Sequence, residues 1–369
     1  MRNTTVLICG GSIAGPTLAY WLHRHGFGPT VVERAPGLRP GGQAIDIRGT
    51  ALEVVDRMGI LDEARQAATH LAGMSFVDAD GTEVMRSTEA TLTGGVIDNP
   101  DVEIMRDDLT GLLYRQTKDT VEYVFDDTIT ALVEDDNGVT VTFEYTPARR
   151  FDLVIGADGL HSAVRALTFG PEKDFLTDLG TYLSVFSTPN FLGLEHWETF
   201  HRDGEKMVGY YTARQNSEAR GMFGFRSEPV AYDRRDTRQQ MQLVEDTFVD
   251  TGWETQRLLK AMWAAPDFYF DMMSQVKMDS WSNGRVSLVG DAGYAASPLS
   301  GQGTSLALVG AYVLAAELKA AGGDHQAGFA AYESKLRYFV EQNQGLVSAA
   351  DGPPAPEVLA AAATSLTLD

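Results

Sequence analysis

Thr4-Thr5-Val6-Leu7-Ile8-Cys9-Gly10-Gly11-Ser12-Ile13-Ala14-Gly15 is the stretch on which the fold turns. An apolar run ends in glycines, and residues 13–25 continue with helical character up to Gly26. Thr30 to Glu33 is a second short apolar strand, so the opening residues predict a β-α-β unit. In such a unit the glycines permit a tight turn and close backbone approach. The helix N-terminus then offers N–H groups and a positive dipole end to a pyrophosphate. Glu33 lies 18 residues past Gly15, where a carboxylate binds ribose hydroxyls. Gly10, Ser12, Ile13, Ala14, Gly15 and Glu33 are therefore a first candidate site, for a dinucleotide, with Ser12 in place of the middle glycine.

Further along, two more apolar strands run into glycine turns. Phe151 to Gly156 reads as a buried strand ending in Ala157-Asp158-Gly159, followed by His161-Ser162-Ala163-Val164-Arg165. This sets Asp158 at the carboxyl edge of a sheet, where ligands collect. Ser162 caps the next helix in this reading, leaving Asp158 and Arg165 to face a nucleotide. Arg285 to Gly290 precedes Asp291-Ala292-Gly293 and the loop Pro298-Leu299-Ser300-Gly301-Gln302-Gly303-Thr304, which opens an apolar helix. A loop of that kind can lie against a flat ring, with the helix dipole aimed at a developing anion.

Between these motifs, 50–68 reads as one helix and 73–99 as short strands. Leu109 to Thr117 reads as a helix opened by Asp107-Asp108 at its positive end. Asp136-Asn137-Gly138 marks a hairpin, and 171–280 is rich in aromatics and Met. Within that block Met207, Gly209, Tyr211 and Ala213 alternate onto one strand face, and Phe223 and Phe225 onto one face of another. The order of elements implies two interleaved units. The fold class is α/β: a Rossmann-like dinucleotide domain (1–72, 100–172, 279–345) with a mixed β-sheet domain inserted (73–99, 173–278) and a tail (346–369) of loop plus loose helix.

The 30 Lys+Arg and 51 Asp+Glu leave a net charge of −21. Nucleic acid and anionic membrane both require clustered cations, so neither is expected as a partner. A lone cysteine, Cys9, makes neither a disulfide nor a thiolate cluster and fits a cytoplasmic setting. The longest apolar stretch, Leu306 to Ala316, is about half of the roughly 20 residues of a membrane span. Arg2 with Val6–Cys9 faintly imitates a signal peptide, but Gly10-Gly11-Ser12 and Pro16 interrupt it. His23 and His25 read as solvated, and no spacing matches a metal site. Ser162 and Ser300 lack a partnered base for hydrolysis.

As a set, the three motifs with Arg106-Asp107-Asp108-Leu109 between the first two resemble the group A FAD-dependent aromatic monooxygenases, the para-hydroxybenzoate hydroxylase family. Gly41-Gly42-Gln43-Ala44-Ile45-Asp46, Asp98-Asn99-Pro100 and the chain's length are similar to the compact, tetracycline-inactivating branch. The resemblance implies that Gly10, Ser12, Ile13, Ala14, Gly15, Glu33 and Arg34 hold the ADP half of FAD. It also implies that Asp46 and Arg106 contact the flavin nucleotide and that Asp158 serves FAD and passing NADPH. Asp291 would bind the ribityl chain, with Pro298, Gly301, Gln302, Gly303 and Thr304 beside the isoalloxazine. Tyr210, Tyr211, Arg214, Met222 and Phe223 are substrate-pocket candidates, and no protein group is assigned as catalytic.

The activity implied is hydroxylation of an aromatic or polyketide-like molecule by O2 through a flavin C4a-hydroperoxide, with NADH or NADPH as reductant, in a monomer or homodimer. Another FAD enzyme on the same scaffold (epoxidase, halogenase or prenyl reductase) is the alternative, and a sequestering protein with a vestigial flavin site is the non-enzyme one. The Trp-x-Trp-x-Ile-Pro segment of flavin halogenases is absent. Tyr294, Ser305 and Val309-Gly310 depart from the family's His, Asn and acidic pair. Met222 stands where the tetracycline enzymes present a histidine, so tetracycline itself is not carried over.

Overall fold

A computed structural model describes residues 3–92, 95–347 and 355–369; Arg2 and the Asp351–Pro354 part of the tail lie outside them. The apolar run Thr5–Cys9 is a central strand of a six-stranded sheet. Across that sheet lie Ser282–Asn283, Val286–Leu288, Leu153–Gly156, Thr5–Cys9, Gly28–Glu33 and Glu122–Phe125, parallel except for the first. Helices Ala14–Arg24 and Gly303–Ala320 pack on one another, the first also on Thr5–Cys9 and Gly28–Glu33, and their Leu18, Leu22, Leu306 and Val309 are buried in one core with the sheet. Strands so covered read as unbroken apolar runs, which is why they were legible.

The second large sheet has seven strands, in the order Tyr269–Val276, Leu176–Thr188, Glu218–Arg226, Lys206–Ala213, Glu198–Asp203, Met74–Val77 and Glu83–Ser87. It is antiparallel except between Glu198–Asp203 and Met74–Val77, so the sheet is mixed, as expected. Helices Thr237–Phe248 and Thr255–Ala264 cover one face, where Met241, Val244, Phe248, Leu258 and Met262 meet Tyr182, Phe186, Tyr210, Phe223 and Phe225.

Several expectations are corrected. The single helix over 50–68 is two, Thr50–Arg57 and Leu61–Gln66, broken at Gly59, whose φ of 74° no continuing helix adopts. Phe151 to Gly156 splits at Asp152: Arg149–Phe151 joins a three-stranded sheet and Leu153–Gly156 the six-stranded one. The tail helix Pro356–Ala363 is docked rather than loose. Ala362, Ala363 and Leu368 are buried, Asn343 Nδ2 donates to Ala362 O, and Thr50 Oγ1 to Leu366 O. The apolar helix is also longer than the run within it. Gly303–Ala320 reaches the length and apolarity of a membrane span by composition, but 67% of it is buried inside the protein.

Candidate active site

Four neighbouring parallel strands deliver the motifs to one edge. Gly10 follows Thr5–Cys9, Glu33 ends Gly28–Glu33, Asp158 follows Leu153–Gly156, and Asp291 follows Val286–Leu288. Side chains at the carboxyl ends of such strands line a shared crevice. The glycine turn is tight. A Cβ on Gly15 would lie 1.9 Å from Gly10 O, so only glycine permits this approach of helix to turn. Glu33 braces the turn, accepting from Gly11 N at 2.7 Å through Oε2 and from Ala35 N at 2.9 Å through Oε1. Each oxygen keeps acceptor capacity for a hydroxyl.

Helix starts divide into two kinds. Ser162, Asp236 and Asp324 cap their helices with side-chain oxygens. Ala14–Arg24 and Gly303–Ala320, which follow the first and third glycine motifs, have no side-chain cap, a state they share with Thr50–Arg57 and Asp291–Tyr294. Their first N–H groups are left to an external acceptor such as a phosphate or a ring carbonyl. At the second of these, a Cβ on Gly301 meets nothing nearer than Arg48 Nε and Asp46 Oδ2, both at 3.8 Å. A Cβ on Gly303 meets only Asp291 Oδ1, also at 3.8 Å. The loop thus runs between the Asp46 and Asp291 carboxylates, each at van der Waals distance from a side-chain position on its glycines. Gln302, fully buried between these glycines, has neither amide atom hydrogen-bonded, which marks a polar group awaiting a partner.

Charges around the loop are perturbed. Asp291 reaches solvent, yet the protein around it desolvates the carboxyl and pushes it up to about 6. Burial raises Asp46 to about 7 although Arg48 beside it opposes the rise. Arg106 is lowered to about 10, by burial and then by Arg39, and its Nη2 donates to Arg39 O and Gly41 O, both at 2.7 Å. Its head is engaged by the 39–41 loop.

Other candidates sort by position. Asp158 accepts from Ser162 Oγ at 2.5 Å and Val164 N at 3.1 Å, so its carboxylate braces the turn. Arg165 is a correction: fully buried, it donates to Leu160 O and Ala292 O instead of facing a nucleotide. Arg34 and Pro298 are exposed, while Asp46 and Thr304 are buried. On the seven-stranded sheet, Tyr210 and Phe223 point into the helix-covered core, which corrects their reading as pocket walls. Met222 lies on the opposite face with Leu183, Val185, Phe200, Met273, Met207 and Phe76. Tyr211 shares that face and accepts from Ala44 N at 3.1 Å, so it meets the strap carrying Asp46. Arg214 is tied to Asp107 (2.6 Å), Asp108 (3.3 Å) and Glu218 (2.7 Å), a bridge between the second sheet and the start of helix Arg106–Thr117 rather than a ligand anchor.

Two residues escaped sequence reading. Arg48 sits two positions past Asp46, and nothing in its neighbours distinguishes it from a solvated arginine. Tyr269, half-buried, has its hydroxyl ionisation raised by burial and then by Asp271 and Asp291, so it lies between the second sheet and the Asp291 loop. Both positions arise from contacts between segments far apart in the chain.

Residues 3–344 match the family described as FAD binding domain. A Mycobacterium tuberculosis protein, uncharacterized, is 55% identical over 96% of this chain and 95% of its own length. A flavin-dependent monooxygenase of Legionella longbeachae is 43% identical over 93% of this chain and 87% of its own. The solved structure of the tetracycline destructase Tet(55) superposes with a TM-score of 0.87 at 41% identity, covering 100% of this chain and 98% of that one. With the glycine turn, the strand edge and these likenesses in agreement, the chain belongs to the FAD-binding family of flavin-dependent monooxygenases and is an FAD-dependent oxidoreductase.

Proposed function

We propose that this enzyme uses NADH or NADPH and O2 to hydroxylate a fused-ring aromatic or polyketide-like small molecule. The observation that carries the reading is the apolar sheet face of Leu183, Val185, Phe200, Met222 and Met273, on the side of the sheet that meets the Asp46 strap through Tyr211. A broad apolar wall with few polar anchors suits a flat, largely neutral substrate, and thioethers adapt to irregular aromatic outlines. The likeness to Tet(55) supports a polycyclic substrate of that general size.

In this reading 1–72, 100–172 and 279–345 form the FAD-binding part, 73–99 and 173–278 the substrate part, and 346–369 a C-terminal tail. The uncapped helix at Ala14 and the turn Gly10 to Gly15 would hold the FAD pyrophosphate, and Glu33 the adenosine ribose. Arg34 would flank the adenosine. Asp291 would accept from the ribityl hydroxyls, and Pro298, Gly301 to Thr304, Asp46 and Arg106 would surround the ring. When bound, the flavin supplies the redox chemistry, delivering one oxygen atom of O2 to the substrate. The chain's own part is to orient substrate on the sheet face, exclude water and offer the Gly303 helix N-terminus to negative charge.

Purified protein should be yellow with bound FAD and should oxidise NADPH faster when a suitable polycyclic phenol is added. The product should be heavier by one oxygen atom from 18O2. Flat NADPH consumption across a panel of aromatic and polyketide compounds would remove the hydroxylase reading while leaving the flavoprotein intact.

A further inference from the structure

The strand Ala44–Ile47 carries Asp46 inward and Arg48 follows it, their side chains only 7% and 4% exposed. Arg48 Nη2 pairs with Asp46 Oδ2 at 3.0 Å, and Nη1 with Asp101 Oδ2 at 3.1 Å. The backbone here is tied on both sides. Arg48 N donates to Ser305 Oγ, in the first turn of Gly303–Ala320, at 3.0 Å, and Gly49 N donates to Asp101 Oδ1 at 3.3 Å. Taking these charges out of water costs several kcal/mol per ion, so stability alone is a poor reason for ions here. Position supplies a better one. Arg48 Nε and Asp46 Oδ2 are the atoms nearest a Cβ position on Gly301, both at 3.8 Å, so the pair lies directly against the loop beside the uncapped start of the Gly303 helix.

We propose that Arg48, held between Asp46 and Asp101, borders the flavin ring and biases it toward its two-electron-reduced form. The inference rests on the FAD reading of the Gly301 loop. Two electrons and one proton leave the ring with one negative charge, which an adjacent cation favours and an adjacent carboxylate opposes. The electrons come from nicotinamide in the enzyme and from dithionite in the test below. Glu103, which accepts from Thr69 Oγ1 at 2.5 Å, adds negative charge near Asp46. Arg48 is thus the cation of a cluster otherwise made of carboxylates, and its removal and that of Asp46 should act in opposite directions.

The midpoint potential of bound FAD is measured by dithionite titration against a reference dye in wild type, Arg48→Gln, Arg48→Lys and Asp46→Asn. The titration is run at about pH 8.5, above the Asp46 carboxyl's value of about 7. FAD affinity is followed separately by fluorescence. Arg48→Gln should lower the two-electron reduction equilibrium about tenfold, or about 30 mV. Asp46→Asn should raise the potential, and Arg48→Lys, which keeps the charge, should stay close to wild type. A role confined to holding the strap would weaken FAD binding in both Arg48→Gln and Asp46→Asn while leaving their potentials unmoved, and that result overturns the proposal. So do shifts of the same sign in the two variants. Should Arg48→Gln retain no FAD, Asp46→Asn decides alone: an unchanged or lowered potential rejects the idea. A wild-type protein without bound FAD would overturn the cofactor reading and this inference together, an outcome recognisable before any variant is titrated.

Discussion

Single residues in the core show how departures from a family pattern compensate one another. Tyr294, fully buried, has its hydroxyl 2.9 Å from that of Tyr332, which donates to Leu288 O. The hydroxyl occupies the place a side chain at 310 would take, since a Cβ on Gly310 would lie 2.0 Å from Tyr294 Oη. Tyr294 and Gly310 read in sequence as two unrelated oddities; in the fold they are one steric arrangement. Gly310→Ala should therefore destabilise by about 1–3 kcal/mol through overpacking, and Tyr294→Phe by about 1 kcal/mol through the lost hydrogen bond. Together they should cost less than the sum, with a coupling of at least about 0.5 kcal/mol in urea unfolding. Additive costs would show that the two positions do not share this space. The same scale explains why Arg48 was illegible: its burial comes from Asp46, Asp101 and Ser305, three partners of which two are distant in the chain.

Among elements, the turns after the parallel strands bear the constraints. His161, in the turn after Leu153–Gly156, joins Glu172 through Nδ1 and Asp271 of strand Tyr269–Val276 through Nε2, both at 2.9 Å. Tyr232 donates to the same Asp271, and Arg234 and Arg165 pair with Glu172. Burial alone would lower the His161 ionisation, but hydrogen bonds to Asp271 and Glu172 outweigh it and raise it. Burial would lift Glu172, yet His161 and Arg234 hold it at about 2. For a raised histidine, the contribution to stability is complete below its ordinary value of 6.5 and fades as pH climbs through the higher folded value. For a depressed carboxylate, it is complete above 4.5 and fades as pH falls toward 2. His161→Gln should therefore cost most, about 2 kcal/mol, between these limits. The gap from wild type should narrow as pH rises above 6.5 in thermal melts, and a gap independent of pH would refute the charged link. Another turn holds strain: Ser297, just before Pro298, has φ 75° and ψ 147°, a region that disfavours side chains. Relieving it with Ser297→Gly should raise stability by about 1 kcal/mol, seen as a higher Tm; a lower Tm would mean that the weak Ser297 Oγ contact with Leu299 N matters more.

For the whole molecule, the charge of −21 sets a self-repulsion that salt screens over about 10 Å at 0.1 M. Thermal stability should rise as NaCl is increased from about 10 to about 200 mM, because the compact state suffers more from like charge than the unfolded chain. A falling Tm would mean that ion pairs such as Arg214–Asp107 dominate over the net charge. At this scale the sequence also did not separate the aromatics that pack under the helices from those on the other sheet face. Tyr210 and Tyr211 are adjacent in the chain, yet strand alternation sends one into the core under helices Thr237–Phe248 and Thr255–Ala264 and the other toward Ala44.

The glycine turns, the acids that follow them and the buried parallel strands could be read from sequence because each depends on local chemistry: a turn that excludes a Cβ, a helix start without a cap, a run apolar on both faces. Tertiary structure alone decided that Arg48 lies at the Gly301 loop, that Arg165 turns inward, that Tyr294 requires Gly310, and which face of the second sheet the helices Thr237–Phe248 and Thr255–Ala264 cover. Those outcomes depend on where distant strands and helices pack, and the spacing of residues along one chain does not carry that information.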